Sequence, residues 1–178
     1  MSPAVERRAF RDLSYGLYIV TSRDGERSNG QIANTAIQVT SDPARVAVII
    51  NKQNLTHEYI SKSKVFAVSV LDETATMIFI GPFGFRSGRE IDKLSKVEYK
   101  EGVTGCPLVT EHALSVLEAK VIDEIDLGTH TVFIGDVINA EVLREGRPLT
   151  YQYYHEHLKG KTSKHAPTYN PAEQTGKG

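Results

Sequence analysis

Three polar clusters interrupt otherwise apolar stretches of the chain, and each can do chemistry. The first is Gly30-Gln31-Ile32-Ala33-Asn34-Thr35, where a strand-like run ends. Small side chains there let a flat ligand approach the backbone, whose N–H groups can bond a heterocycle's edge. Spacing alone favours an ordinary strand-to-loop transition at this point. The second is Asn51-Lys52-Gln53-Asn54-Leu55-Thr56-His57, directly after the apolar run Val46 to Ile50. It offers a cation, two amides, a hydroxyl and a helix start, the set that suits a phosphate. The same residues serve equally as helix caps beside a solvated lysine. The third is Phe85-Arg86-Ser87-Gly88-Arg89, with Ser87 at a helix start between two guanidinium groups. It reads either as a second anion-receptive arrangement or as capping plus surface charge.

Other chemistries find less support. There is no G-x-G-x-x-G, no Walker A loop and no G-x-S-x-G, which argues against a dinucleotide-binding Rossmann domain, a P-loop ATPase and an α/β-hydrolase. The six histidines are scattered, and His155-Glu156-His157 places two imidazoles on one face only if extended. No third ligand accompanies them, so no metal site is expected. Cys106 is the only cysteine; beside Pro107 and without an activating cation nearby in sequence, it reads as a small buried apolar residue.

These clusters need strands and short helices to position them. Ser2 as cap, Pro3 at the first helical position and the stripe Val5, Ala9, Phe10, Leu13 predict a short N-terminal helix. Strands are expected at 17–21, 37–40, 46–50, 65–71, 115–125 and 131–143. Asp24-Gly25 and Asn29-Gly30 are read as turns, and Asp126-Leu127-Gly128 joins the two longest strands into a hairpin. Helices are expected over 56–62, over 72–79 with Asp72 as cap and Gly81-Pro82 as stop, and from a capping box at Ser87–Glu90 to Leu94. Strands adjacent in sequence, without a βαβ rhythm, predict a mainly β fold, a small antiparallel barrel with short helical insertions. Runs such as Val132-Phe133-Ile134 imply strands covered on both faces, by helices or a second subunit.

The chain has 178 residues and a formal net charge of -1, one domain's worth of chain. Residues 1–158 are expected to form the domain and 159–178 a tail, flexible or draped on the surface. The tail carries four Lys against one Glu, and Tyr169 is its one large side chain suited to docking. Near-zero net charge argues against a nucleic-acid partner. Apolar runs of about five residues fall far short of the roughly 20 that a membrane span needs. The N-terminus lacks an apolar signal region, so a cytoplasmic protein is expected.

Taken together, several blocks resemble the FMN-binding split-barrel flavin reductases, in the branch of ferric reductases, flavoredoxins and the flavin domain of high-molecular-weight rubredoxins. They are Tyr15 to Ser22, Gly30 to Thr35 with Gln38 and Thr40-Ser41, Asn51 to His57, Phe79 to Arg86, and Gly128 to Asp136. The likeness spans residues 4 to 168. It implies a homodimeric six-stranded antiparallel split β-barrel with FMN near the subunit interface and NADH or NADPH as co-substrate. By the same resemblance Gln31, Ile32, Ala33, Asn34 and Thr35 would line the isoalloxazine. Asn51, Lys52, Asn54 and Thr56, joined by Phe85, Arg86 and Ser87, would hold the ribityl and phosphate end. His130 would face the nicotinamide. The implied activity passes electrons from NAD(P)H through FMN to free flavin, a ferric complex or a redox protein; the alternative is an FMN electron carrier without NAD(P)H turnover. Some relatives carry a cysteine in the strand that here reads Val46 to Ile50, and some continue into an iron-binding domain. This sequence has neither, so the electron partner is expected to be a separate molecule.

Overall fold

The computed structural model describes residues 5–171. Strand β1 (Tyr18–Asp24) turns back into β2 (Arg27–Ala33) through Gly25 and Glu26, with Gly25 at φ +62, where a side chain would be strained. Next come β3 (Ala36–Ser41), β4 (Ala44–Asn51), helix α1 (Leu55–Ser63), β5 (Val65–Leu71) and helix α2 (Met77–Phe85). A two-stranded ribbon, β6 (Tyr99–Glu101) and β7 (Pro107–Val109), precedes the long hairpin of β8 (Ala113–Asp126) and β9 (His130–Val142) and the short helix α3 (Tyr151–Glu156). The large sheet runs β2-β1-β5-β8-β9-β4-β3 with antiparallel neighbours throughout. β2 and β4 also touch, so the sheet curls on itself.

Alternation along the strands separates two cores. Val20, Val48, Ile50, Phe66 and Phe133 fill the barrel interior. Leu17 and Ile19 point the other way and meet Ile80 and Phe83 of α2, Leu149 just before α3, and Tyr154 of α3. β1 and β5 are therefore buried on both faces, as their unbroken apolar runs require. A third cluster lies under the ribbon, where Val65, Ala67 and Val116 pack against Leu108 and Cys106. Burial pushes the Cys106 thiol up to about 11.

The fold is mainly β, as expected, with seven strands in the large sheet. The additional one is β2. Asn29-Gly30 is not a turn but lies mid-strand, opposite Ser22 and Thr21. Gly30 is needed there for close approach: a Cβ would sit 3.0 Å from Thr21 and 3.2 Å from the Phe83 ring. The helix expected over 72–79 starts later. Thr76 caps it, with its hydroxyl accepting from Phe79 N, and it runs through Gly81 and Pro82 to Phe85. Asp72 instead closes a local turn on the Thr74 N–H. Pro82 removes one helical hydrogen bond, but the carbonyl it leaves belongs to Ile78, a 90% exposed residue that water can serve. Ser87 to Glu90 makes a single turn, not a helix. Near the N-terminus a 3₁₀ turn (Arg7–Asp12) leaves Val5, Phe10 and Leu13 exposed rather than docked; Ser2 and Pro3 lie outside the described residues. Among the described residues no helix is long and apolar enough to cross a membrane.

One buried carboxylate ties the ribbon to the barrel. Glu118 on β8 accepts hydrogen bonds from the Thr104 N–H (2.8 Å) and hydroxyl (2.7 Å), the Val103 N–H (3.1 Å) and Asn139 Nδ2 (2.8 Å). Burial acts to raise its pKa, but these donors outweigh burial and hold it below the usual carboxylate range. A depressed folded-state pKa contributes stability above the unfolded pKa and loses it as pH falls. Glu118→Gln should therefore lower the urea midpoint clearly at pH 7, and the gap to wild type should close below about pH 4.

Candidate active site

A cavity of about 620 Å³ opens beside the free edge of β2, within the range of small-molecule and cofactor sites. Its walls are Gln31 to Asn34 at the end of β2, Gln53 to Thr56 at the start of α1, Phe83 to Gly88 where α2 ends, and Lys161 to Pro167 of the tail. Asn29 Nδ2 donates to Thr56 Oγ1 at 2.8 Å and locks β2 to the helix start. Arg89 donates to the Gln53 carbonyl at 3.2 Å and pairs with Glu58 at 3.1 Å, fastening the turn after α2 to the same place.

The N-terminus of α1 is left receptive. Asn54 is its N-cap, yet its side chain makes no capping bond. Its Oδ1 lies 2.8 Å from His165 Nδ1 instead. The helix therefore presents first-turn N–H groups and the positive end of its dipole toward the cavity. Arg86 is half-exposed, with only a long 3.7 Å contact to Glu90. Ser87 accepts from the Arg89 N–H at 3.2 Å. Among the described residues Arg86, Lys93, Lys161 and Lys164 line the cavity against Glu90 alone, so their summed charge there is positive.

The opposite requirement, for groups that a heterocycle can meet, is also present. Gln31 Oε1 and Asn34 Oδ1 are buried without a hydrogen-bond partner. Such atoms cost about 1–3 kcal/mol each unless a ligand pairs with them. A flat ring bearing N–H and C=O groups along one edge, joined to an anion, fits this donor set. A flavin mononucleotide has that chemistry.

Nine of the residues expected at the site meet in this wall: Gln31, Ile32, Ala33, Asn34, Asn54, Thr56, Phe85, Arg86 and Ser87. Four stand outside it. Thr35 Oγ1 donates to the Ile49 carbonyl at 3.3 Å. Asn51 pairs with His130 across β4 and β9, and its Oδ1 accepts from the Gln53 N–H. Lys52 reaches away to Asp126 at 2.5 Å, because the β8–β9 turn brings that carboxylate beside it. His130 Nε2 lies 3.2 Å from the His165 carbonyl. The sequence reading missed Lys93, a buried ammonium in the wall that donates to the Gly30 carbonyl at 2.9 Å. Nothing in its spacing distinguishes it from a surface lysine. Among the described residues no group of three or more His, Cys, Asp or Glu could hold a metal ion; His155 bonds the Gly160 carbonyl and His157 stacks on Tyr153.

The tail is draped across this site. Gly160 is buried against α3, Tyr154 Oη donates to the Lys161 carbonyl at 3.0 Å, and Asn34 Nδ2 donates to Thr168 Oγ1 at 2.8 Å. Tyr169 also lines the cavity.

Residues 10–160 match the family model of the flavin reductase like domain, and the chain belongs to that family. It is 53% identical over 161 residues to a ferric-chelate reductase (NAD(P)H) of Archaeoglobus fulgidus, covering 90% of this chain and 95% of the relative. It is 47% identical over 173 residues to a high molecular weight rubredoxin of Moorella thermoacetica, covering 97% of this chain and 76% of the relative. Among solved structures, an NADH:FAD oxidoreductase of Streptomyces globisporus superposes with a TM-score of 0.73 at 27% identity, covering 81% of this chain and 85% of that one. The split-barrel fold of flavin reductases is thus the fold of this protein.

A Cβ on Gly160 would fall 2.0 Å from the Tyr154 ring. Gly160→Val should unseat the tail while the barrel stays folded. Trypsin should then cut at Lys161 and Lys164 at least several-fold faster, with little change in the urea midpoint.

Proposed function

We propose that the cavity holds FMN and that the protein passes electrons from NADH or NADPH to free flavin, a ferric complex or a separate redox protein. Family membership supports the oxidoreductase class. The observation that carries the cofactor is the pairing, in one cavity, of an uncapped helix start beside Arg86 with the unpartnered amide oxygens of Gln31 and Asn34. When bound, FMN would supply the hydride acceptor and the store from which electrons leave.

The chain's residues do the holding. Arg86, the Ser87 hydroxyl and the first turn of α1 take the phosphate. Gln31 Oε1 and Asn34 Oδ1, the unpartnered acceptors of the wall, take the ring's N–H edge. Thr35 and Asn51 shape the loops that carry the wall, and Lys52 contributes its charge from outside. His130 stands where the tail crosses the mouth and would orient the nicotinamide once the tail yields. The closed tail favours a second reading, an FMN electron carrier that NAD(P)H does not reduce, because Lys161 to Pro167 occupy the approach to the cavity.

A homodimer is part of the same proposal. Edge strand β3 leaves Ile37 64% exposed, and Phe10 and Leu13 are each 56% exposed; a second copy would cover such apolar surface. Light scattering should give about twice the 19.7 kDa of the chain, and a single-chain mass would remove the idea. The proposed location is the cytoplasm, which cell fractionation can check.

Purified protein should bind FMN at micromolar levels, and the bound flavin's absorbance near the visible maximum should bleach on anaerobic addition of NADH or NADPH. Failure to bind FMN sinks the proposal; binding without bleaching selects the carrier. Arg86→Ala should weaken FMN by roughly 1.5–3 kcal/mol and leave riboflavin, which has no phosphate, nearly unchanged in a fluorescence titration.

A further inference from the structure

Lys93 differs from every other charged group that lines the cavity. Arg86, Glu90, Lys161 and Lys164 are exposed, whereas Lys93 is 7% exposed. Its ammonium donates to the Gly30 carbonyl at 2.9 Å and, at a longer 3.5 Å, to the Phe83 carbonyl. Among the described residues two carbonyls leave one of its three donors without a partner. Among the described residues no carboxylate pairs with it, and burial alone lowers its pKa to about 8. A buried cation without a counter-charge is costly unless something compensates it. The Phe83 carbonyl, in the last turn of α2, offers only the partial negative charge of a helix end.

The position is informative. Gly30 precedes Gln31, whose Oε1 is buried and unpartnered in the same wall. The charge therefore sits beside the strand edge that the flavin ring would meet, away from solvent. A hydride carries two electrons and one proton. When NAD(P)H gives it up to become NAD(P)⁺, a neutral flavin ring gains one negative charge unless a second proton follows.

We propose that Lys93 is the charge-compensating residue of the site: its ammonium offsets the negative charge that a flavin takes on when reduced, making the reduced flavin the tighter ligand. This rests on the cavity being a flavin site. A cation held rigidly in a water-poor wall acts on that charge far more strongly than a solvated one, and it need not move to do so.

The test measures dissociation constants anaerobically for riboflavin and FMN, each oxidised and dithionite-reduced, with wild type and Lys93→Met, Lys93→Gln and Lys93→Arg. Both neutral variants should weaken reduced riboflavin at least 10-fold more than oxidised riboflavin, and Lys93→Arg should keep most of the preference. Equal losses for both redox forms would make Lys93 only a strut between β2 and α2 and overturn the proposal. A loss confined to FMN would make it a phosphate ligand and overturn it equally. If Lys93→Met does not fold, Lys93→Gln, which keeps a donor for the Gly30 carbonyl, decides. Wild type that takes up neither flavin in either state refutes the flavin reading itself, whereas wild type that binds with unchanged selectivity in the neutral variants refutes only the role of Lys93.

Discussion

A strand that pairs on one side only must find other partners for its second row of backbone groups, and β2 is such a strand. It bonds to β1 along its whole length, while its other edge meets β4 in contact but not in a ladder. Backbone groups buried without partners are expensive, so the molecule supplies a substitute. Lys93 takes the Gly30 carbonyl. The end of the strand, from Gln31 to Asn34, is left for something else. The cavity is the place where the barrel's hydrogen bonding is incomplete, and the other parts of the site are arranged around that deficit.

Three chain segments distant in sequence are tied to this edge by polar contacts, added to apolar packing such as that of Ile60 of α1 in the barrel interior. α1 arrives through Asn29 and Thr56, the turn after α2 through Arg89, and the tail through Asn34, Asn54 and His130. Each tie is worth little alone, about 0.5–1.5 kcal/mol. The barrel core does not depend on them. The site can therefore adjust, above all at the tail, without loss of the fold.

The barrel was legible in the sequence wherever apolar runs met turn residues. Val46 to Ile50, Val65 to Leu71 and the hairpin around Gly128 are such places, and Leu55–Ser63 follows from the polar start at Asn54. β2 was hidden because its middle, Asn29-Gly30-Gln31, has turn-like composition; those residues serve the helix start, the Phe83 ring and the cavity instead of a core. Pro82 disguised α2, since a proline reads as a stop unless the lost bond faces water. The anion-receptive character of the Arg86 and Ser87 side chains was visible in residue type. The outward turn of Lys52 and the inward turn of Lys93 were not, because each depends on a partner far along the chain: Asp126 in one case and Gly30 in the other.

Cys106 illustrates a different economy. Reduced flavins hand electrons to dioxygen readily, and the resulting peroxide attacks thiolates. Here the sole sulfhydryl lies under the small ribbon with no solvent exposure, and burial raises its pKa and so disfavours the reactive thiolate. Sealed in this way, the cysteine offers oxidants little thiolate, and repeated turnover in air would spare it.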